Sequence, residues 1–192
     1  GDVLFVHLTL LPYLRASGEL KTKPTQHSVG KLREIGIQPD ILICRTEQPM
    51  TRDMAQKISL FCNVRPEAVV EERDVDFSIY EVPKDLIEAG LDRLVAERLG
   101  LPLDVTTRLD DWRTMLADIK ATKDTCEIAI VGKYIELNDA YKSIYESLSH
   151  AGIANKCKIV LRKIRAEDVT SAGLKLLEGV DGILVPGGFG ER

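Results

Sequence analysis

The chain has no apolar run of the roughly 18–20 residues that a membrane-spanning helix needs. Its longest, "VLFVHLTLL" (3–11), is strand-like and is interrupted by His7. The first residues lack a charged leader and a small-residue cleavage site, so they do not read as a signal peptide, and a cytoplasmic setting is expected. Positive charge is not in excess: 26 Lys and Arg against 30 Asp and Glu give a formal net charge of −4. That balance argues against bulk electrostatic binding to nucleic acid or to an anionic membrane, and any anion site must be local. Histidine is scarce, and the three present (His7, His27 and His150) are not at metal-ligand spacing, so no metal site is expected. The four cysteines, Cys44, Cys62, Cys126 and Cys157, form no CxxC pair and lie mostly in apolar runs, the pattern of reduced buried thiols. None occupies a GxCxG-type turn, and no GxxxxGK[ST] string occurs. Neither a nucleophile elbow nor a Walker-type phosphate loop is therefore encoded in these residues.

What is present is an ordinary globular composition over 192 residues, 44% apolar and 29% charged, enough for one large domain or two small ones. The near-continuous apolar run at 3–11, bounded by Pro12, suits a strand buried on both faces. "TQHSVGKLREIG" puts Val29, Leu32 and Ile35 at helical spacing and ends at Gly36. "DILICRT" (40–46) reads as the next strand. "RDMAQKISLFCNV" (52–64) sets Met54, Ile58 and Phe61 on a helix face, "AVVEERDV" (68–75) is a third strand, and 83–100 is a helix ending at Gly100. Strands alternating with helices predict an α/β fold with a parallel sheet.

Between 101 and 125 the texture changes. "TRLDDWRTMLADIK" carries Leu109, Trp112, Met115, Leu116 and Ile119 on one helical face, with Thr107 and Asp110 as a capping-box-like start. Trp112 reads as a packing anchor there. After the polar "KATKDT" a second α/β run begins: strand at "CEIAIVGKY", helix at "DAYKSIYESLSHAG", strand at "KCKIVLRKI", helix at "AEDVTSAGLKLLEG", and a strand running into "PGGFG". A three-stranded sheet leaves an open edge, so residues 126–192 are expected to form the first part of a larger domain, and the whole chain an internal piece of a longer protein.

Three stretches could carry chemistry. In "GELKTKPTQHSV", Lys21 and Lys23 stand at a helix entrance, Pro24 suits the first helical position, and Gln26 adds an amide. Helix N-termini bind phosphate readily, so this is either a di- or triphosphate grip or a solvated basic loop. "PGGFGER" follows a strand; its glycines can bring backbone N–H groups up to a ligand or simply make a tight turn. Gly132 and Lys133 end a strand and could contact a ligand or only turn the chain.

Taken together, "GELKTKPTQHSV", "LICR", "KISLFCNV", "SIYEVP", "VGKYIELNDAYKSIYESLSHAG" and "ILVPGGFGER" resemble the CTP synthase family of glutamine-dependent ligases, in that family's order and spacing. The resemblance implies that MgATP phosphorylates the uracil O4 of UTP and that ammonia released from glutamine displaces the phosphate to give CTP. It implies that residues 1–103 are the C-terminal part of a Rossmann-type, P-loop-like amidoligase domain. Residues 104–125 would be an interdomain linker helix, and 126–192 the first β-α-β-α-β of a flavodoxin-like class I glutamine amidotransferase domain. By the same resemblance Lys21, Thr22, Lys23, Pro24, Thr25 and Gln26 line the site for UTP and the inhibitor CTP, joined by Lys57 and by Phe61 beside the base. Arg45, Arg73, Asp74 and Val75 match positions around the ATP adenine. Gly188 corresponds to the glutamine-binding glycine, and Phe189 to an oxyanion-hole N–H. Lys133, Tyr134 and Lys142 fall in the stretch that faces the GTP activator. The family is tetrameric, and its Mg2+ carboxylates, phosphate loop and catalytic cysteine match no residue of this chain, so this piece alone is expected to be inactive. A non-catalytic nucleotide-sensing or assembly module sharing the fold is the alternative.

Overall fold

The structure, a computed structural model, describes residues 3–103 and 108–187. It divides into two compact units, Gly1–Leu109 and Asp110–Arg192. Both are mixed α/β, each built on a parallel sheet.

In the first unit the sheet has the order β1 (Val6–Leu11), β4 (Ile41–Thr46), β5 (Val69–Arg73), all parallel. A short hairpin, β2 (Tyr13–Leu14) with β3 (Glu19–Leu20), intervenes after β1. Its turn closes through Gly18, whose φ of 66° is a left-handed conformation that glycine adopts without strain. Helices α1 (Lys23–Glu34) and α2 (Arg52–Cys62) cover one face, where Leu11, Leu20, Val29, Leu42, Cys44, Ile58, Cys62 and Val69 form the core. On the other face Ile41, Ala68 and Val70 pack against Leu86, Leu91, Leu94 and Val95 of α3 (Val82–Glu88) and α4 (Leu91–Leu99). Each fully buried aliphatic side chain there contributes roughly 1.5–3 kcal/mol. Residues expected to share a buried stripe divide in two places. Ile35 and Phe61 are exposed, because α1 ends at Glu34 and α2 centres its inward face on Ile58, Ser59 and Cys62.

The helix anticipated over 83–100 is two helices. Gly90 breaks it with φ 83° and caps α4, its carbonyl accepting from Leu94 N at 3.1 Å. Gly100 ends α4 with φ 66°, as the terminal glycine led one to expect.

In the second unit α5 (Asp110–Ala121) precedes a parallel sheet of order β7 (Lys158–Arg165), β6 (Thr125–Gly132), β8 (Gly182–Leu184), with α6 (Lys142–Ala154) and the short α7 (Ala166–Ala172) between strands. Helix α5 buries Leu116; Thr107, the anticipated cap, lies outside the described residues. The core is Ile130, Ile135 and Tyr141 with Ile128, Ile144, Tyr145, Leu148, Leu161 and Leu184. Arg162 ties the sheet together. Its guanidinium donates to both carboxylate oxygens of Glu127 at 2.8 Å and to the carbonyls of Leu176 and Glu178. Such a bidentate charge-assisted pair fixes β6 against β7 and holds the approach to β8.

Gly90→Ala should destabilise the first unit by about 1 kcal/mol, since nothing lies within 4 Å of the added Cβ and only the left-handed backbone opposes it. Urea denaturation reads this as a lower midpoint at unchanged slope; an unchanged midpoint would show that the helix break is set elsewhere.

Candidate functional site

Parallel sheets present their ligands at the carboxyl ends of the strands. In the first unit those ends are Leu11, Thr46 and Arg73, and the first turn of α1 follows the hairpin after β1. What fixes that helix start is a pair of threonines. Thr25 is fully buried, and its hydroxyl donates to the Leu10 carbonyl at 3.1 Å while lying 3.1 Å from the Thr9 hydroxyl. The Thr9 hydroxyl also lies 3.7 Å from Cys44 Sγ, so two hydroxyls and a thiol share one buried polar cluster. One turn along, His7 Nε2 meets Ser28 Oγ at 2.9 Å, repeating the strand-to-helix tie.

Within "KTKPTQ" the side chains therefore divide by task. Thr22, buried as the N-cap residue, accepts from Gln26 Nε2 at 3.2 Å, and Pro24 occupies the first turn. Lys23 is exposed, and Lys21 is half-buried and pairs with Glu19 on β3. The Lys21 hydrogen bond and charge hold the Glu19 carboxyl below its ordinary range, and Lys57 of α2 adds to this. Lys57 thus lies in the same field as Lys21, which brings together cations 36 residues apart in sequence. Phe61, one turn beyond Lys57, is 56% exposed. Lys21 and Lys23 thus stand beside first-turn amides that have no intrahelical acceptor, the geometry of a helix start that can take an anion.

The second set sits on the same sheet. Arg45 is in register with Leu10 on one side and Glu72 on the other. Its Nε donates to Asp74 Oδ1 at 2.6 Å, and the Asp74 amide donates to the Thr46 carbonyl at 3.0 Å. Arg73 projects to the opposite face, where it pairs with Glu71 at 3.3 Å, and Val75 is half-buried. Arg45 and Asp74 are therefore brought together, and Arg73 is not part of their contact. Burial pushes the Cys44 thiol up to about 11 and raises Cys62 as well, so both stay neutral.

In the second unit a cavity of about 290 Å³ opens at the carboxyl ends of β6 and β7, lined by Lys133, Tyr134, Glu136, Leu137 and Arg165. Gly132 is required beneath it: a Cβ there would lie 2.8 Å from the Tyr141 ring. Tyr141 in turn accepts from the Tyr134 amide at 3.4 Å. Lys133 lies 5.3 Å from the Tyr134 ring, and Arg165 pairs with Glu136 at 3.4 Å. Lys142 opens α6 and is exposed. Gly188 and Phe189 lie outside the described residues. Among the described residues no group of three or more His, Cys, Asp or Glu side chains gathers as metal ligands, and no helix is long and apolar enough to cross a membrane.

Sequence reasoning missed Thr9, Glu19, Glu72, Glu136 and Arg165. A polar residue at a core position of an apolar strand was the available signal for Thr9, and the Ala-Ser-Gly turn signal for the hairpin that carries Glu19. Thr25→Val, which keeps shape but leaves the Leu10 carbonyl without its donor, should cost roughly 1–3 kcal/mol in denaturant unfolding. An unchanged midpoint would mean that the helix start is held by packing alone.

A family model describing the N-terminus of CTP synthase matches residues 1–101. Among curated proteins, the CTP synthase of Moorella thermoacetica is 55% identical over 190 residues, covering 99% of this chain and 35% of the relative. That of Desulfitobacterium hafniense is 53% identical over 195 residues, with 100% and 36% covered. That of Thermococcus kodakarensis is 54% identical over 191 residues, with the same coverage. The chain spans about a third of the length of the curated relatives it matches. With the N-terminal model matched over more than half of its residues and these relatives aligned along its length, the chain belongs to the CTP synthase family.

Proposed function

We propose that this chain carries the pyrimidine triphosphate grip of a ligase that aminates UTP to CTP at the expense of ATP, with ammonia supplied by glutamine. The observation that carries the reading is the placing of Lys21 and Lys23 at the start of α1, at the carboxyl end of a parallel sheet, with Lys57 of α2 close enough to act on the same Glu19 carboxyl that Lys21 holds. Lys21 now spends its charge on an exposed Glu19, a weak contact in water. A triphosphate offers a stronger one, so the lysine exchanges partners when the nucleotide arrives. The pinned Thr22 and Thr25 hold the amides of the first turn in place for it, and Phe61 stands exposed beside Lys57 to meet the base. Arg45, in register with the strand that holds α1, and Asp74 take the adenine end of ATP, with Val75 next along the chain and Arg73 turned to the other face of the sheet.

Residues 1–103 form part of the amidoligase domain in this proposal, which the match of the N-terminal family model to residues 1–101 supports. Residues 104–125 lead into a flavodoxin-like amidotransferase domain that begins at 126, its glutamine site at Gly188 and its oxyanion-hole amide at Phe189. The cavity at Lys133, Tyr134 and Arg165 is offered as a contact for the GTP activator, with Lys142 nearby. Mg2+ accompanies ATP, and among the described residues no group of three or more His, Cys, Asp or Glu side chains gathers to hold it. The assembly is a cytoplasmic homotetramer.

Lys21→Ala combined with Lys23→Ala in the intact enzyme should raise KM for UTP and weaken CTP inhibition together. Each charge-assisted phosphate contact is worth roughly 1.5–3 kcal/mol, so both effects should reach at least tenfold. Steady-state kinetics with UTP varied at several CTP concentrations measures the two at once. Unchanged values for both nucleotides would contradict the proposed grip.

A further inference from the structure

The hairpin that leads into α1 carries an anion of its own. Glu19 stands on β3, two residues before Lys21, and its carboxylate pairs with the Lys21 ammonium. The fold builds this pairing in. Glu19 is in register with Leu14 across the hairpin, and the amides of Ser17 and Gly18 both donate to the Leu14 carbonyl, at 3.1 and 2.8 Å. Beyond the strand, the Lys21 amide donates to the Pro12 carbonyl at 3.0 Å. Leu20, between the two charged residues, is buried in the core, which turns both of its neighbours outward. The hydrogen bond and charge of Lys21 hold the Glu19 carboxyl below its ordinary range, with Lys57 adding to this, so it stays ionised at neutral pH. A carboxylate seated on the cations of an anion site competes with any anion that arrives. The ion pair must open first, and once open it leaves a negative charge beside the newcomer.

We propose that Glu19 is a built-in competitor for Lys21, a positioning residue that holds down the affinity of this helix start for nucleoside triphosphates and so sets the concentrations at which UTP is used and CTP inhibits. This rests on the assignment of the triphosphate to Lys21 and Lys23 under the proposed function. Substrate and inhibitor present the same triphosphate, so the competition falls on both and leaves their ratio alone. Both partners of the pair are solvent-exposed in part, so the effect is modest and salt screens it. A carboxylate that served only to orient Lys21 would act with the opposite sign. Without it the lysine would have to be ordered on binding, and both nucleotides would bind less tightly.

The test measures KM for UTP and the CTP concentration giving half-inhibition in the intact enzyme, for wild type, Glu19→Gln, Glu19→Asp, Lys21→Ala and the Glu19→Gln/Lys21→Ala double variant. Glu19→Gln should lower both values together by about two- to fivefold at low salt, and the gain should shrink as salt is raised. KM for ATP should not follow. Glu19→Asp, which keeps the charge, should stay closer to wild type than the glutamine variant. In the Lys21→Ala background Glu19→Gln should give a smaller gain, because the competitor has no Lys21 left to hold. An equal gain with and without Lys21 would overturn the competition. If Glu19→Gln leaves both values unchanged or raises them while Lys21→Ala raises them, the grip stands and Glu19 is no competitor. If neither Glu19→Gln nor Lys21→Ala alters UTP use or CTP inhibition, the grip itself is misplaced and this inference falls with it.

Discussion

The first unit depends on how Thr25 is held: its buried hydroxyl donates to the carbonyl of Leu10 and lies against the hydroxyl of Thr9. A helix start can bind an anion only if its amides stay where the ligand expects them, and solvent-exposed ends fray. Here the first turn of α1 is fastened to the carboxyl end of β1 by a hydroxyl with no access to water. With the Thr25 hydroxyl shut off from water, losing that hydrogen bond is expensive. The half-buried Lys21 and the exposed Lys23 then stand beside a fixed platform.

The same strand end links the two candidate nucleotide positions. Leu10, whose carbonyl anchors α1, is in register with Arg45, and Arg45 with Glu72. A parallel register cannot slip by one residue without turning every side chain of a strand to the opposite face. The pairing that buries Leu42 and Val69 toward α1 and α2 therefore also keeps Arg45 and Glu72 together on the α3 side. In this way the core specifies the geometry of the site: apolar alternation places the polar residues at the sheet end.

Much of the fold was legible in the sequence because its strands are apolar runs bounded by proline, glycine or charge, and its helices carry periodic apolar residues. What was not legible were effects of position. Phe61 has the right spacing for the inward face of α2, yet the face is centred on Ile58 and Cys62, and burial follows the centre of a stripe. Gly90 reads as a tolerated helix glycine until its positive φ shows a break. Of the site, the lysines and Gln26 stood out by residue type, but composition alone favoured a solvated basic loop over a phosphate grip. Thr25 gave no sign that its hydroxyl is structural, and Glu19 and Glu72 look like ordinary strand carboxylates. Their surroundings come from residues distant in sequence, which no local pattern encodes.

The central claim is that Lys21, Lys23 and Lys57 close on one pyrimidine triphosphate, and lysine acylation of the intact enzyme with and without CTP tests it most directly. Lys31, exposed on the last turn of the same α1 and paired with Glu34, serves as the internal reference. The account predicts that CTP slows modification of Lys21, Lys23 and Lys57 together while Lys31 reacts at its original rate. Equal rates at the three lysines with and without saturating CTP would contradict it.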